Sequence, residues 1–360
     1  GRETLMNVFD HPDFDHHELV AFRDDPASGL KAIIAVHNST LGPALGGCRM
    51  FSYASNNEAL SDVLRLSRGM TYKSALAGIA LGGGKSVIIG NPQQDKSRQL
   101  LLAMGDFINS LNGSYITAED SGTGVADMAI MSEKTAHVTG VVNGEEYGGD
   151  PSPITAYGVY QGIVASVAYQ FNSDLKGVRI ALQGIGRVGF YLARQLIEAG
   201  AIVYAADINP ANIQRAVDQL GVIALPLDNI LSSDVDVLVP CALGGAINPQ
   251  SIDIIKAKVV AGAANNQLAT ADMGEALKQR DVLYAPDYVV NAGGIIDVYY
   301  QTQGIRDRKI VSDHVDKIGA TLKTIFTRST QTGRATSHIA DELAEEILAG
   351  HLDDTKEMSA

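Results

Sequence analysis

The chain predicts an α/β protein of two domains, an N-terminal α/β substrate domain and a Rossmann-type, doubly wound dinucleotide-binding domain. Three observations carry that expectation. From Val178 to Ala206 a strand, a glycine-rich turn, a helix and a second strand follow one another, around Gly184-Ile185-Gly186-Arg187-Val188-Gly189. That order is a βαβ unit, the building block of a parallel sheet. Ahead of it, a segment with its own strands and helices carries two lysines in glycine-marked contexts, Gly69-Met70-Thr71-Tyr72-Lys73 and Gly82-Gly83-Gly84-Lys85. At 360 residues the chain is long enough to bury two separate cores.

The elements can be justified in order. Residues 30–36, Leu-Lys-Ala-Ile-Ile-Ala-Val, form an apolar strand. Leu60, Val63, Leu64 and Met70 recur at helical spacing between Asn57 and Tyr72, with Asn56 or Asn57 as the cap, so Lys73 falls at or near the helix's C-terminal end. The three glycines then lead into a strand, Ser86-Val87-Ile88-Ile89, which puts Lys85 where the backbone turns into sheet. Residues 98–111 read as a helix, and Ser114 to Thr117 as a strand running toward Glu119 and Asp120.

The passage Asn143 to Pro151, rich in glycine, is the natural domain boundary. Thr155 opens a long apolar helix after it. Beyond the βαβ unit, strands are expected at Val235 to Val239, Val259 to Ala261 and Val282 to Tyr284, and two helices close the chain. The domains expected are therefore 1–149 for substrate and oligomer contacts and 150–330 for the dinucleotide. Residues 331–360 are a C-terminal helix packing back on the first domain.

Composition excludes several classes of function. A hydrophobic share of 46% with 19% charged residues belongs to a globular protein, not a disordered one. The net charge of −13, without a run of Lys or Arg, leaves no basic surface for nucleic acid. Cys48 and Cys241 stand far apart in no metal or redox spacing, which fits a reducing, cytoplasmic compartment. Acids and histidines near the N-terminus give no signal-peptide pattern. The apolar stretch from Tyr288 to Tyr300 is interrupted by Asn291, Gly293, Gly294 and Asp297, too short and polar for a membrane span. His11, His16 and His17 with Asp10, Asp13 and Asp15 show neither zincin nor EF-hand spacing, so no metal is expected.

Glycines in the Gly184–Gly189 turn let backbone approach a pyrophosphate, and the helix that follows offers N–H donors and the positive end of its dipole. Asp207, about twenty residues on at the end of the next strand, suits the adenosine ribose. With Ile208 and Asn209 after it and no arginine beside it, NAD is favoured over NADP, although Arg187 lies inside the turn. Lys85, flanked by glycines and an apolar strand, has the setting of a desolvated amine. With Lys73 as a nearby cation its charged form would be disfavoured, which suits a general base. Lys73 suits a substrate carboxylate, or simply the negative end of its helix. Asp120 past a strand end, and Asn265 and Asn266 past another, are either turn formers or functional groups.

These segments in order resemble the glutamate/leucine/phenylalanine/valine dehydrogenase family, from about Gly29 to about Tyr300. The resemblance rests on Gly42-Pro43-Ala44-Leu45-Gly46-Gly47, the two lysine segments and Thr117 to Thr123. It continues through Ala261 to Gln267 and Ala285 to Gly294. It implies reversible oxidative deamination of an L-amino acid with NAD⁺ to a 2-oxo acid, ammonia and NADH. It also implies a cleft between the domains that closes on the reactants, and a homo-oligomer.

By the same resemblance Lys73 would hold the substrate carboxylate, Lys85 would activate water and Asp120 would move protons at the substrate nitrogen. Gly46, Gly47, Met70 and Asn266 would line the substrate site. Thr155, Ala242, Asn265 and Asn291 would join the turn residues and Asp207 around the cofactor. Glutamate dehydrogenases carry a lysine where this chain has Leu45. Leu45, Ala118, Ile295 and Val298 match the aliphatic pocket of leucine-specific members, so a branched aliphatic substrate is expected. Cys48 and Gly189 depart from that pattern and leave valine and phenylalanine open. A 2-hydroxy acid dehydrogenase would need a histidine beside an arginine, and His137 has no such partner motif. A catalytically inactive NAD-binding sensor would not need Lys73, Lys85 and Asp120 together.

Overall fold

The structure is a computed structural model that describes residues 7–142, 145–146, 148–242 and 244–359. The chain divides into two compact units. The first comprises Gly1–Gly149, Val298–Arg306 and Glu346–Ala360, and the second Asp150–Asp297 and Asp307–Glu345. Asn143, Gly144 and Tyr147 of the expected boundary passage lie outside the described residues.

In chain order the first unit contains β1 (Leu19–Asp25), β2 (Leu30–Asn38), β3 (Ala44–Phe51), α1 (Asn56–Ala77) and β4 (Gly82–Ile89). Then come α2 (Arg98–Asn109), β5 (Tyr115–Glu119), α3 (Val125–Met131) and the short pair β6 (Val141–Val142) and β7 (Glu145–Glu146). The main sheet has the order β1-β2-β4-β3-β5, with β3 parallel to both β4 and β5. Helices cover both faces, so β2 is buried almost continuously instead of alternating. On one face Ala44, Cys48, Met50 and Tyr115 pack with Leu101, Met104 and Phe107 of α2. On the other, Ile33, Ala35 and Val87 pack with Ala59, Val63 and Leu64 of α1.

α1 begins at Ser55, whose side chain accepts the Glu58 N–H, and ends at Gly78 in the left-handed conformation. The cap is thus Ser55 and not Asn56 or Asn57. The helix runs past Tyr72, so Lys73 sits a turn inside it. A second correction concerns the glycines before Lys85. They do not form a turn: Gly82, Gly83 and Gly84 are strand residues of β4. The reason is steric. A Cβ on Gly83 would collide with Thr71 of α1, and one on Gly84 would lie 2.8 Å from the Tyr115 ring on the opposite face. Glycine here lets α1 approach the sheet on one side and the Tyr115 ring of β5 lie against it on the other.

The second unit contains α4 (Ser152–Phe171), β8 (Arg179–Gln183), α5 (Arg187–Glu198), β9 (Ile202–Ala206), α6 (Pro210–Leu220) and β10 (Ile223–Ala224). It continues with β11 (Val237–Pro240), β12 (Val259–Val260), α7 (Asp272–Gln279), β13 (Leu283–Tyr284) and α8 (Asp287–Val290). The helices α9 (Gly293–Thr302), α10 (Arg308–Val315), α11 (Lys317–Thr332) and α12 (Thr336–Ser359) follow, parts of α9 and α12 belonging to the first unit. All pairs in its sheet are parallel, in the order β10-β9-β8-β11-β12-β13. Order reverses between β8 and β11, the switch point of a doubly wound sheet.

Residues 331–345, expected with the first domain, belong to the second unit. The start of α12 is anchored there: Thr336 Oγ1 donates to the Tyr284 carbonyl at 2.6 Å, and Tyr288 donates to Asp341 at 2.7 Å. Among the described residues no helix is long and apolar enough to cross a membrane.

Candidate active site

Strand alternation gathers the first cluster. Gly83 faces α1, so Lys85, two residues on, points to the same side of the sheet. On β3 the same face carries Leu45, Gly47 and Arg49, because Ala44, Cys48 and Met50 are in the core on the other side. Beyond β5, Asp120 falls on it too. Although 35 residues separate them, Lys85 Nζ and the Asp120 Oδ2 carboxylate form an ion pair, with Lys85 only 7% exposed. A Cβ on Gly47 would lie 2.7 Å from the Asp120 Cβ, so a larger residue there would displace the acid. Gly46 instead offers its carbonyl to the Tyr115 hydroxyl at 2.7 Å.

Asp120 is further held by the Ser121 N–H at 2.6 Å on Oδ1 and by Arg49 at 3.4 Å on the same oxygen. Its backbone N–H donates to Thr123 Oγ1, which in turn donates to the Cys48 carbonyl at 2.7 Å. Burial pushes the Asp120 carboxyl up, but the Lys85 ammonium and the Arg49 guanidinium outweigh it and hold the group below the usual carboxylate range. The amine of Lys85 thus meets a carboxylate, a contact that sequence reasoning did not assign to it. Met70 and Lys73 stand three apart on α1, half-buried, on the helix that packs over this face. Ala118 lies near the end of β5 and Val298 on α9.

Cys48 is fully buried on the opposite face, and burial pushes its thiol up to about 12. It is a core residue and no nucleophile. Arg49 went unrecognised in the sequence. The one signal available was its position two residues after Gly47, which strand periodicity places beside that glycine.

The second cluster is local. Gly184 follows β8 with φ +97°, and a Cβ there would lie 2.8 Å from that of Ala242, which follows β11. The turn therefore sits at the switch point. Gly186 caps α5 without a side-chain bond, and a Cβ on it would meet nothing among the described residues within 4 Å. The helix's first N–H groups are left open to an anion. α5 begins at Arg187, so Arg187, Val188 and Gly189 are its first turn and not part of a longer loop. Arg187 is ion-paired with Asp150. Asp207 accepts the Ile185 N–H at 2.8 Å and the Asn209 N–H at 2.7 Å.

Thr155 lies in the first turn of α4, and a Cβ on Gly294 would sit 3.4 Å from its hydroxyl. Asn291 is buried and donates to Asn265 Oδ1 at 2.7 Å, while its own Oδ1 has no partner among the described protein groups. Asn266 is exposed in the left-handed region, φ +51°. Ile295 is buried on α9. A dinucleotide fits these residues: the turn has room, the helix end is uncapped, and a carboxylate stands at the end of β9.

A doubly wound sheet with this turn, in one chain with a buried lysine–carboxylate pair, defines an oxidoreductase of the amino acid dehydrogenase class. Comparison with known proteins agrees. The model of the Glu/Leu/Phe/Val dehydrogenase dimerisation domain matches residues 16–137, and that of Glutamate/Leucine/Phenylalanine/Valine dehydrogenase matches residues 210–346. Leucine dehydrogenase of Bacillus subtilis (strain 168) is 46% identical over 344 residues, covering 95% of this chain and 94% of the relative. Phenylalanine dehydrogenase of Caldalkalibacillus thermarum (strain TA2.A1) is 44% identical, covering 95% and 94%. The crystal structure of L-tryptophan dehydrogenase from Nostoc punctiforme superposes with a TM-score of 0.84 at 40% identity, covering 93% of this chain and 97% of that one. The chain belongs to the glutamate/leucine/phenylalanine/valine dehydrogenase family.

Proposed function

We propose that this enzyme catalyses NAD-dependent, reversible oxidative deamination of a branched aliphatic L-amino acid, leucine preferred. The balanced reaction converts the amino acid, NAD⁺ and water to the 2-oxo acid, ammonium, NADH and a proton. The observation that carries the reading is the Lys85–Asp120 pair on a buried sheet face beneath the helix bearing Lys73. Asp120, kept ionised by its cations, takes a proton from the substrate ammonium and frees the nitrogen lone pair. Lys73 holds the substrate carboxylate as a point charge. When the Cα has lost hydride, Lys85, having first released its own proton to solvent, takes one from the water that adds to the iminium carbon. Asp120 returns one to the departing nitrogen. Because the two groups touch, a proton can pass directly between them.

The cofactor would be held by Gly184 to Gly189 and Asp207, with Thr155, Ala242, Asn265 and Asn291 toward its nicotinamide end, and it supplies the hydride acceptor. Asp207 supports NAD over NADP, because a carboxylate at this place repels a 2′-phosphate. Asn266 would orient the substrate.

The aliphatic preference rests on Leu45, at the position where glutamate dehydrogenases carry lysine. A dicarboxylate would there lose hydration without gaining a partner. By the family resemblance, Ala118, Ile295 and Val298 would belong to the same aliphatic pocket. The two departures from the leucine pattern leave this pocket alone. Cys48 points to the far side of the sheet, and Gly189 lies in the first turn of α5. The match to a dimerisation domain supports a homo-oligomer. Two unpaired cysteines support the cytoplasm.

The test is NADH formation at alkaline pH with leucine, isoleucine, valine, phenylalanine, tryptophan and glutamate, repeated with Lys85→Ala. Leucine should give the highest kcat/KM and glutamate almost none. An aromatic preference would overturn the substrate assignment. Near wild-type turnover by Lys85→Ala would overturn the mechanism.

A further inference from the structure

Asp120 stands just past the end of β5, where its Oδ1 is held by the neighbouring Ser121 N–H at 2.6 Å and by Arg49. Arg49 makes contact with it on the side away from Lys85. Its Nη2 reaches Asp120 Oδ1 at 3.4 Å and its Nη1 donates to Asp62 Oδ2 at 3.1 Å. Asp62 belongs to α1 and is itself held twice. Tyr53 donates to its Oδ2 at 2.6 Å, and Arg65 donates to its Oδ1 at 3.0 Å. The three side chains are largely buried, 27% exposed for Arg49, 14% for Asp62 and 16% for Asp120. Beside them opens a pocket of about 460 Å³ lined by Arg49, Phe51, Tyr53, Glu58, Asp62 and Ser121.

We propose that Arg49 is a positioning residue for the reaction: anchored by Asp62 and Tyr53, it fixes one oxygen of Asp120 so that the other stays on Lys85 and toward the substrate nitrogen. The inference rests on the proposed proton-shuttling role of Asp120. A planar guanidinium suits the task, because it bonds two carboxylates at once in fixed directions, which a flexible ammonium does not. The arrangement also ties β3 to α1, the helix that carries Met70 and Lys73. Without Arg49, water from the adjoining pocket would solvate Oδ1. The acid would remain charged but would lose its aim.

The experiment compares Arg49→Met, Arg49→Lys and Asp62→Asn with Asp120→Asn, measuring kcat, both KM values and thermal melting. Arg49→Met is expected to lower kcat about a hundredfold, the effect of misplacing a reacting group by about an ångström, with KM for NAD⁺ unchanged. Arg49→Lys should regain an intermediate kcat, since it keeps the charge and loses the fork. Asp62→Asn loosens the anchor without removing the guanidinium. It should lower kcat with unchanged KM, and it decides the matter if Arg49→Met does not fold. Wild-type kcat in Arg49→Met, or in Asp62→Asn where that variant decides, overturns the assignment if Asp120→Asn is inactive. Wild-type kcat in Asp120→Asn would instead overturn the reading on which it rests.

Discussion

The Asp207 carboxylate accepts the Ile185 backbone N–H at 2.8 Å, so the acid at the end of β9 is clamped to the glycine turn after β8. Its other oxygen is occupied by the Asn209 N–H. One carboxylate thus shapes the turn and, in the proposed function, faces the ribose.

Replacing Asp207 with alanine removes both contributions. A hydrogen bond to a charged group contributes about 1.5–3 kcal/mol, so the KM for NAD⁺ should rise about tenfold or more. The repulsion of a 2′-phosphate goes as well, and the preference for NAD⁺ over NADP⁺ should narrow. Steady-state kinetics with both cofactors check this. An unchanged ratio of their kcat/KM values would remove Asp207 from cofactor choice.

Gly186 caps α5 and Gly189 lies three residues on in its first turn, yet they should respond differently to alanine. A Cβ on Gly189 would lie 2.8 Å from the Gly184 carbonyl oxygen, which is backbone and cannot swing aside. Overpacking of that kind costs about 1–3 kcal/mol, so Gly189→Ala should melt lower and bind NAD⁺ more weakly. A Cβ on Gly186 would meet no atom of the described residues within 4 Å, and the backbone there is extended, φ −71° and ψ −151°. Gly186→Ala should therefore melt like the wild type and still bind NAD⁺ poorly, since the methyl group occupies the approach to the open helix end. Melting curves with and without NADH separate the two. Normal NADH binding by Gly186→Ala would place the cofactor elsewhere.

How much of this is legible without coordinates depends on sequence distance. The dinucleotide unit is readable because strand, turn, helix and acid lie within about thirty residues and each leaves its own pattern. The extent of β4 is hidden, since three consecutive glycines look like a turn until Thr71 and Tyr115 are seen pressing on either side. Lys85 and Asp120 are each conspicuous, but their contact is not. It arises only because β3 threads between β4 and β5 in the sheet. Arg49 leaves no motif at all: its partners Asp62 and Asp120 are 13 and 71 residues away and sit on different elements.

His37 supplies a pH prediction. Its Nδ1 shares a hydrogen bond with Thr71 Oγ1 at 2.7 Å, and its ring lies edge-on to that of His17. Burial first, then the neighbouring His17, pushes it from 6.5 down to about 4. Above pH 6.5 the ring is neutral in both folded and unfolded chains and has no effect. Between 6.5 and about 4 only the unfolded chain takes up the proton, so stability falls with pH across that window. The loss is of order 3 kcal/mol when complete. Asp15 and Asp120, both held below 3.8, lose their contributions only under more acidic conditions. Chemical denaturation at stepped pH should show the decline, and His37→Gln should flatten it. An identical slope in that variant would assign the decline to other groups.

In the proposed function, substrate choice turns on Leu45. It is 2% exposed on β3, paired in register with Gly83 of β4 and Ile116 of β5, on the sheet face that carries Lys85. Gly83 offers no side chain beside it, and Thr71 of α1 presses on that place. Truncation to alanine should cost about 2–5 kcal/mol of stability, as for other buried leucines, and enlarge the space by three carbons. The stability loss affects all substrates alike, whereas the enlarged space does not. The ratio of kcat/KM for phenylalanine over leucine is free of that common factor. It should rise by roughly 10–200-fold, the range associated with small changes in an apolar pocket. Leu45→Lys should act in the other direction. It introduces an ammonium where a side-chain carboxylate would lie, lowering activity on leucine and raising the glutamate-to-leucine ratio. If neither ratio moves, Leu45 is core packing only, and selectivity has to come from Ala118, Ile295 and Val298.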